Sequence, residues 1–386
     1  MLDELAAGVA PTSAPDLLRE LHLSPAQAAG WTLVVMQLSG VLLEAPLLAL
    51  TARWPRRGLI AGSLVAVAVT CGAAALAPGY GALLGALFVF GLAIGMACSL
   101  AEAAVVDEAA AADRERVLAR WSLLGALGDV ASPLMIGGLS LCGLGWRSAF
   151  AGMALLALAY AALVRAGPPL VPAPAPEDEG EANGGGWRSP ALRRAVLWCS
   201  AAAFCTLLDE VLVSFGSLRL EELGAAPGER SVVLAAGTLG CVAGLVASEW
   251  AWSRVEPLRL MMVTSLGCAV ALAAWPSVHS LPLSAAVLAA CCALAAPLFP
   301  VVQAQAFAAL PGRSGTVGAI FAVVSGVELL VPLAVGAVAD RWGLRSALAS
   351  LLLGPLGLFA VAAATLGRRG RRPRAGSEGE GLEISP

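Results

Sequence analysis

Acidic side chains inside long apolar stretches are the residues of this sequence most able to carry chemistry. The candidates are Asp3, Glu102, Asp129, Asp209, Glu210 and Glu328. The chain contains no lysine, and no arginine stands at a comparable depth within these stretches. A charge at the centre of a bilayer costs roughly 2.5–3.5 kcal/mol on insertion scales, and a carboxyl group without a cation partner there tends to bind a proton. We interpret these acids as proton carriers or as counter-charges for a cationic substrate.

Two of these acids are followed by a proline at the same spacing. Asp129 and Glu328 each stand four residues before a proline, Pro133 and Pro332. Proline has no N–H to bond the carbonyl four residues earlier, so each acid lies beside an open backbone acceptor at a predicted helix kink. Within a membrane, such a place is tolerated only in the protein interior or along a wet cavity. The alternative interpretation is a protonated acid that only bonds a neighbouring helix.

The elements that carry these acids are predicted to be membrane-spanning helices. Of the 386 residues, 59% are hydrophobic and 13% are charged, whereas soluble domains carry roughly 25% charged residues. A spanning helix needs about 20 mostly apolar residues. Twelve such segments are predicted, near residues 1–18, 29–51, 58–78, 81–106, 118–142, 147–165, 194–216, 231–251, 258–277, 282–308, 315–338 and 344–366. The fold class is therefore an all-α polytopic membrane protein.

A polar segment divides these helices into six plus six. It reads RAGPPLVPAPAPEDEGEANGGGWRSP and is too rich in proline, glycine and acid to span, which is typical of a flexible linker. We predict a six-helix bundle at 1–166, a cytoplasmic linker at 167–193, a second six-helix bundle at 194–366 and a disordered cytoplasmic tail at 367–386. The net charge of −3 offers no basic surface to a nucleic acid.

The two halves repeat short patterns at matching places. LDELAAG at 2–8 corresponds to LDEVLVS at 208–214, and GDVASPL at 128–134 corresponds to VELLVPL at 327–333. Repeated halves are a signature of transporters, with the site at the interface of the repeats. Asp209 follows a long apolar run, AVLWCSAAAFCTLL, whereas its counterpart Asp3 follows two residues. We therefore expect the first helix to be truncated and the natural start to lie roughly 12–20 residues upstream.

Several motifs make the chain resemble a transporter of the major facilitator superfamily along essentially its whole length. ALTARWPRRGLIAG (49–62) is similar to the family's loop signature between helices 2 and 3, with Ala52 where an aspartate is usual and with Arg53, Arg56 and Arg57 as its basic part. GALGDVASPLMIGG (125–138) resembles the family's antiporter motif, and LGWRSAF (144–150) resembles another common feature. The 11–12 loop, GAVADRWGLRSAL (336–348), also looks like the loop signature.

The resemblance implies a secondary active transporter that moves a small organic solute by alternating access, with proton-coupled efflux favoured. Uptake symport and a non-transporting sensor or partner protein of the same fold are the alternatives. The expected partners are a small-molecule substrate, protons and the lipid bilayer, and the expected state is a monomer. No cofactor or metal is predicted. The chain has only two histidines that could serve as metal ligands, and its nine cysteines lie in apolar runs, where we interpret them as packing residues. Enzyme motifs of hydrolases, zinc proteases and nucleotide-binding proteins are absent from the sequence.

Arginine counting predicts the orientation. If the linker faces the cytoplasm, the cytoplasmic side holds 18 of the 24 arginines, and the other side holds Arg19, Arg147, Arg219, Arg230, Arg341 and Arg345. Loops on the cytoplasmic side of membrane proteins are enriched in arginine. We therefore expect an integral protein of the plasma (inner) membrane with both termini in the cytoplasm.

Overall fold

The computed structural model describes residues 1–51, 54–108, 114–167, 189–252, 254–310 and 314–370. In the N-terminal half, helix α1 comprises three short pieces, Leu2–Ala7, Val9–Thr12 and Ala14–Glu20. Helix α2 begins with a π-helical turn, Ala26–Trp31, and continues as Thr32–Thr51. The remaining helices of this half are α3 (Arg56–Ala75), α4 (Tyr80–Glu108), α5 (Arg114–Leu141) and α6 (Trp146–Ala166).

The C-terminal half repeats this series with more interruptions. Helix α7 comprises Pro190–Thr206 and Glu210–Glu222, and α8 is the continuous helix Pro227–Trp252. Helix α9 (Pro257–Ala274) ends in a 3₁₀ turn, Trp275–Ser277. Helices α10, α11 and α12 each have two pieces. Those of α10 are Leu281–Ala295 and Leu298–Ala309, and those of α11 are Ser314–Glu328 and Leu330–Trp342. Those of α12 are Leu344–Ser350 and Leu353–Gly370.

The predicted all-α membrane architecture is confirmed. Within the described ranges, eleven helices are long and apolar enough to cross a membrane. The stretch of α1, residues 2–20, is shorter and more broken than these eleven. Its counterpart α7 extends over 33 residues, Pro190–Glu222. The described segments match the twelve predicted ones to within a few residues, because the hydropathy that bilayer thickness demands is visible in sequence.

The packing of the helices follows the internal repeat. In the N-terminal half α3 packs on α6, α2 on α4 and α1 on α5, and in the C-terminal half α9 packs on α12, α8 on α10 and α7 on α11. The halves meet through α5 against α8 and through α2 against α11. Helix α11 is the counterpart of α5, and α2 is the counterpart of α8. The pseudo-symmetry of the two halves therefore converts the α5–α8 contact into the α11–α2 contact. The fold is therefore two pseudo-symmetric six-helix bundles with α2, α5, α8 and α11 at their interface.

Helix interruptions coincide with only one of the two predicted kink positions. Helix α11 breaks at Leu329, directly after Glu328 and three residues before Pro332. Pro133 instead lies inside the unbroken helix Arg114–Leu141. Helix α7 also breaks, at 207–209. No sequence signal predicts this break, because neither proline nor glycine stands there.

Glycines set the closest helix contacts inside each half. A Cβ atom at Gly240 would collide with the backbone of Ala289, and one at Gly244 with the backbone of Ala293, so α8 and α10 touch backbone to backbone. The matching contact of α2 with α4 places Gly91 against the carbonyl of Met36. Small residues at membrane helix interfaces permit this approach. Gly85 of α4, by contrast, faces open space.

We expect Gly240→Ala to lower the thermal stability of the purified protein, because its new methyl group would push α8 off α10. Overpacking of this kind costs about 1–3 kcal/mol. The matched control is Gly85→Ala, a mid-helix glycine whose new methyl group has room, and it should change stability by less than about 1 kcal/mol. Thermal unfolding in one detergent measures both, and equal midpoints for the two variants would contradict the packing argument.

Candidate functional site

Two connected cavities lie between the halves, on either side of the break in α7. The larger has a volume of about 530 Å³ and is bounded by α2, α7, α8, α10 and α11. The smaller, about 180 Å³, is bounded by α1, α5, α7, α8 and α10. Asp209 and Glu210, at the break, line both cavities together with Leu208, Cys241 and Leu245. The unwound turn therefore presents its two acids to both spaces.

The N-terminal half contributes a pair of carboxyl groups to the smaller cavity. Glu4 of α1 and Asp129 of α5 both line it, and their carboxyl groups are close neighbours. Carboxylates carry acceptors only, so two carboxyl groups this close repel each other unless they share a proton. Pro133 also lines this cavity, and Ser132 beside it has a buried hydroxyl with no partner among the described atoms.

Asp3 lies away from this pair. Its carboxylate accepts hydrogen bonds from the amino group of Met1 at 2.7 Å and from Sγ of Cys98 at 3.1 Å. Adjacent residues of a helix point about 100° apart, so Glu4, and not the predicted Asp3, faces the cavity. Glu102 stands one turn along α4 from Cys98, and it lines neither cavity.

The C-terminal half contributes Asp209, Glu210 and Glu328. Nε2 of Gln37, on α2, donates to Oε2 of Glu210 at 2.6 Å, which makes a polar contact between the halves at mid-depth. Asp209 is solvent-exposed although it lies deep in the bundle, because it faces the cavities. Glu328 lines the larger cavity with Pro332, and its carboxyl group lies beside Thr206, which stands directly before the break in α7.

The central site is acidic without a compensating base. Five of the described residues that line the two cavities are carboxylic acids, namely Glu4, Asp129, Asp209, Glu210 and Glu328. None of the described lining residues is arginine or histidine. Like charges in a low dielectric oppose one another strongly, so protons or a cation must offset them. No group of three or more metal-ligating side chains occurs in the described part of the chain.

Ion pairs close the cavities at the end of the bundle opposite the linker, which we call the far side. Arg19 contacts Glu221 at 2.8 Å, and Arg230 contacts Asp16 at 2.9 Å, so each pair joins the two halves. Arg230 is buried. Backbone packing adds to this closure, since Gly30 of α2 lies against the carbonyl of Pro332 in α11.

A cap at the start of α2 is also shared between the halves. Oδ1 of Asp340 accepts from the backbone N–H of Ala26 at 3.1 Å, and Oδ2 accepts from the hydroxyl of Ser24 at 2.8 Å. Ser24 and Gln27 hydrogen-bond each other reciprocally in the same turn, as in a capping box. The 11–12 loop motif therefore holds α2 on the far side.

The larger cavity extends from mid-depth toward the linker side, where α6 ends and α7 begins, and the smaller one extends from mid-depth toward the far side. The larger one is lined by residues of α7 and α8 that lie on the linker side of the break, including Ala202, Cys205 and Leu245. Because ion pairs join the far side, we infer that the larger cavity opens toward the linker side, and we call this state the one-sided conformation.

The loop arginines of the 2–3 signature lie apart from this site. Nε of Arg57 donates to the carbonyl of Val164 at the end of α6, at 2.8 Å, within the same half. Arg56 begins α3 on the linker side. Arg53 and Ala52 lie outside the described residues.

Sequence reasoning missed three polar residues of the site: Glu4 as the cavity-facing acid, Gln37 and Thr206. Gln37 had a readable signal, because an amide in the middle of an apolar helix needs a partner. Thr206 had none, since threonine satisfies itself readily along a helix.

Comparison with known proteins identifies the family. The sequence model of the Major Facilitator Superfamily matches residues 1–327, so the chain belongs to this superfamily. No curated protein sequence matches it significantly. The chain is a membrane transporter by family and fold, and not an enzyme.

Solved transporters share the fold at low sequence identity. A bacterial homologue of the human lysosomal transporter Spinster, inward-facing and unoccupied, superposes with a TM-score of 0.71 at 18% identity, covering 94% of this chain and 93% of that one. The nucleoside transporter NupG gives 0.74 at 13% identity, covering 94% and 97%. A D-xylose–proton symporter gives 0.65 at 14%, covering 93% and 95%.

Two native cysteines test the one-sided conformation. Cys205 lines the larger cavity, and Cys142 is exposed in the far-side turn after α5. In membrane vesicles of opposite orientation, a membrane-impermeant thiol reagent should reach the two cysteines from opposite faces, because the far-side ion pairs block Cys205 from the face of Cys142. Mass spectrometry of the labelled peptides measures this. Labelling of both from one face would contradict the assigned closure.

Proposed function

We propose that the protein is a secondary active transporter that expels a small organic solute in exchange for protons, by alternating access of the central cavities. The observation that carries the proposal is the meeting of Glu4 and Asp129 from one half with Asp209 and Glu210 from the other, around cavities without a basic lining residue. Buried acids at a repeat interface are the usual chemical basis of proton-linked transport.

The closeness of Glu4 and Asp129 supplies a coupling step. With one proton present, one carboxyl group can donate to the other across the α1–α5 contact. Loss of that proton leaves two acceptors facing each other, so the pair must separate or attract a positive group. A cationic or strongly hydrogen-donating solute in the cavity would take the place of the proton, and the two would compete for the same acids.

The interface that must rearrange carries the same residues. Helix α5, which bears the antiporter-like stretch around Asp129, packs against α8 of the other half. The Gln37–Glu210 hydrogen bond ties α2 to the break in α7. Rocking of residues 1–166 against 194–366 would therefore change the surroundings of the acids in both halves at once. The far-side ion pairs would break when the cavity opens to that side.

Uptake symport is the second candidate. The larger cavity, about 530 Å³, has room for a solute beside Glu328 and Asp209 while a proton occupies the smaller one. In that case solute and proton bind together instead of competing. A transporter-fold protein that senses without transporting would bind solute and move none.

The arginine distribution supports a plasma-membrane orientation with the linker and both termini in the cytoplasm. In that orientation the one-sided conformation described above faces the cytoplasm. We propose that the monomer is the transporting unit, since both cavities are lined by one chain.

Proton release from liposomes tests the proposal. The purified protein is reconstituted with a trapped pH dye, an inward-acid gradient is imposed, and cationic and neutral lipophilic compounds are added. We expect compound-triggered proton flux in the wild type and none in Asp129→Asn or Asp209→Asn. Glu102→Gln removes an acid that lines neither cavity, and it should stay within about twofold of wild type.

The sign of the coupling separates the candidates. Compound moving against the proton flux supports exchange, and compound moving with it supports symport. Binding without flux in the wild type would return the sensor interpretation. Unchanged proton flux in both aspartate variants would remove the central acids from the mechanism.

Glu328 is expected to act on solute and not on the proton. It lies in the larger cavity beside Thr206, away from the Glu4–Asp129 pair. Glu328→Gln should raise the half-saturating solute concentration roughly tenfold through loss of one charged contact. The number of protons moved per solute should not change. A lost proton signal at saturating solute would place Glu328 among the proton carriers instead.

A further inference from the structure

A third cavity lies at the linker end of the C-terminal half, outside the transport site. Its volume is about 510 Å³, and it is formed where the start of α7 meets the ends of α10 and α12. The first turns of α7 contribute Pro190 to Trp198, α10 contributes Gln305 to Ala309, and α12 contributes Thr365 and Arg368. Arg194 and Asp209 are fifteen residues apart, so about 22 Å of α7 separates this cavity from the central acids.

The lining of this cavity is basic. Arg193, Arg194 and Arg368 all border it, and no acid is found among its described lining residues. The guanidinium Nε of Arg194 donates to the carbonyl of Pro190 at 3.3 Å, which holds its side chain along the first turn of α7. All three arginines are exposed, and together they make the mouth of this cavity electropositive, which attracts anions. The central site and this cavity therefore have opposite electrostatic character.

Arginine favours two classes of anion. Its planar guanidinium offers paired donors that match the oxygens of phosphates and of carboxylates, and it is a preferred residue for phosphate recognition. Gln305 and Thr365 add an amide and a hydroxyl to the same lining. Trp198 lies beneath them, almost fully buried at 4% exposure, and gives the cavity an aromatic wall.

The position of the cavity suggests where that phosphate comes from. Helices α7, α10 and α12 all begin or end at this level, so the cavity lies where the apolar bundle meets the headgroup layer. Basic pockets between transmembrane helices at a membrane surface are able to bind the headgroups of anionic lipids.

We propose that this cavity binds a phosphate-bearing anion, foremost the headgroup of an anionic phospholipid from the linker-side leaflet. The proposal is independent of the solute, of its direction and of proton coupling. The bound phosphate would join the linker-side ends of α7, α10 and α12. Helix α7 then leads from this anchored end to the break that carries Asp209 and Glu210.

The test compares lipid retention by the full chain and two charge-matched double variants. Arg193→Gln with Arg194→Gln removes two cavity arginines. Arg165→Gln with Arg259→Gln removes two exposed linker-side arginines that do not line the cavity. Each protein is placed in nanodiscs of phosphatidylcholine with a minor fraction of phosphatidylglycerol, and the lipids that remain after detergent extraction are counted by native mass spectrometry. Size-exclusion chromatography establishes that each variant is folded.

We expect the wild type and the Arg165/Arg259 control to retain one phosphatidylglycerol. In the Arg193/Arg194 variant the apparent affinity for this lipid should fall roughly tenfold or more, because each surface arginine contributes about 1 kcal/mol toward binding of anionic lipid. Arg368→Gln should show a smaller loss and keeps the test informative if the double variant misfolds. Lipid-free protein titrated with inorganic phosphate and glycerol phosphate distinguishes the source. Saturation by these soluble anions without lipid retention would support the phosphate site and assign it to a free solute. Equal lipid retention and equal phosphate binding by cavity and control variants would overturn the proposal.

Discussion

The placement of carboxyl groups in a medium that penalises charge governs the architecture of this protein. An acid in the interior of an apolar bundle must find a proton, a cation or water. Four acids meet where the two halves face each other, and the surrounding space is open enough to leave Asp209 exposed deep in the bundle. The break in α7 belongs to the same solution, because unwound backbone at membrane depth is tolerated beside a wet cavity. The acids, the break in α7 and the cavities thus share one physical cause, which is the cost of charge in an apolar medium.

Rigidity and mobility are divided between two kinds of contact. Inside each half, helices touch at glycines, as α8 and α10 do at Gly240 and Gly244, so those pairs move as units. Between the halves, the far side is held by charged and capping contacts, such as Arg19 with Glu221, and by the close contact of Gly30 with Pro332. Arg19 is 57% exposed, and an exposed ion pair of this kind exchanges for water at modest cost. This difference between the contacts supports the proposed rocking of one half against the other.

The sequence predicts the fold far better than the site. Twelve segments and their six-plus-six division follow from hydropathy and from one polar linker, because bilayer thickness imposes a length that can be counted. The acids at the interface are also predictable as a group, since charge in an apolar run is conspicuous. Helix rotation is not, because α2, α4 and α5 are apolar around most of their circumference and no polar stripe fixes which side faces inward. For that reason the sequence alone does not show that Glu4 instead of Asp3 faces the cavity, or that Gln37 contacts Glu210. The break at 207–209 depends on tertiary packing that no local residue announces.

In the proposed alternating-access cycle, the cap that Asp340 places on α2 favours the conformation in which the far side is closed. Its carboxylate belongs to one half and the helix start it satisfies belongs to the other, so the cap exists only while the far side is shut. Loss of a helix cap costs about 0.5–2 kcal/mol, which corresponds to a population ratio between roughly twofold and thirtyfold. In that cycle, the protein without bound solute should therefore populate mainly the conformation whose larger cavity is open on the linker side. A cargo that drives the opposite opening must compensate for an uncapped helix as well as for its own release from water.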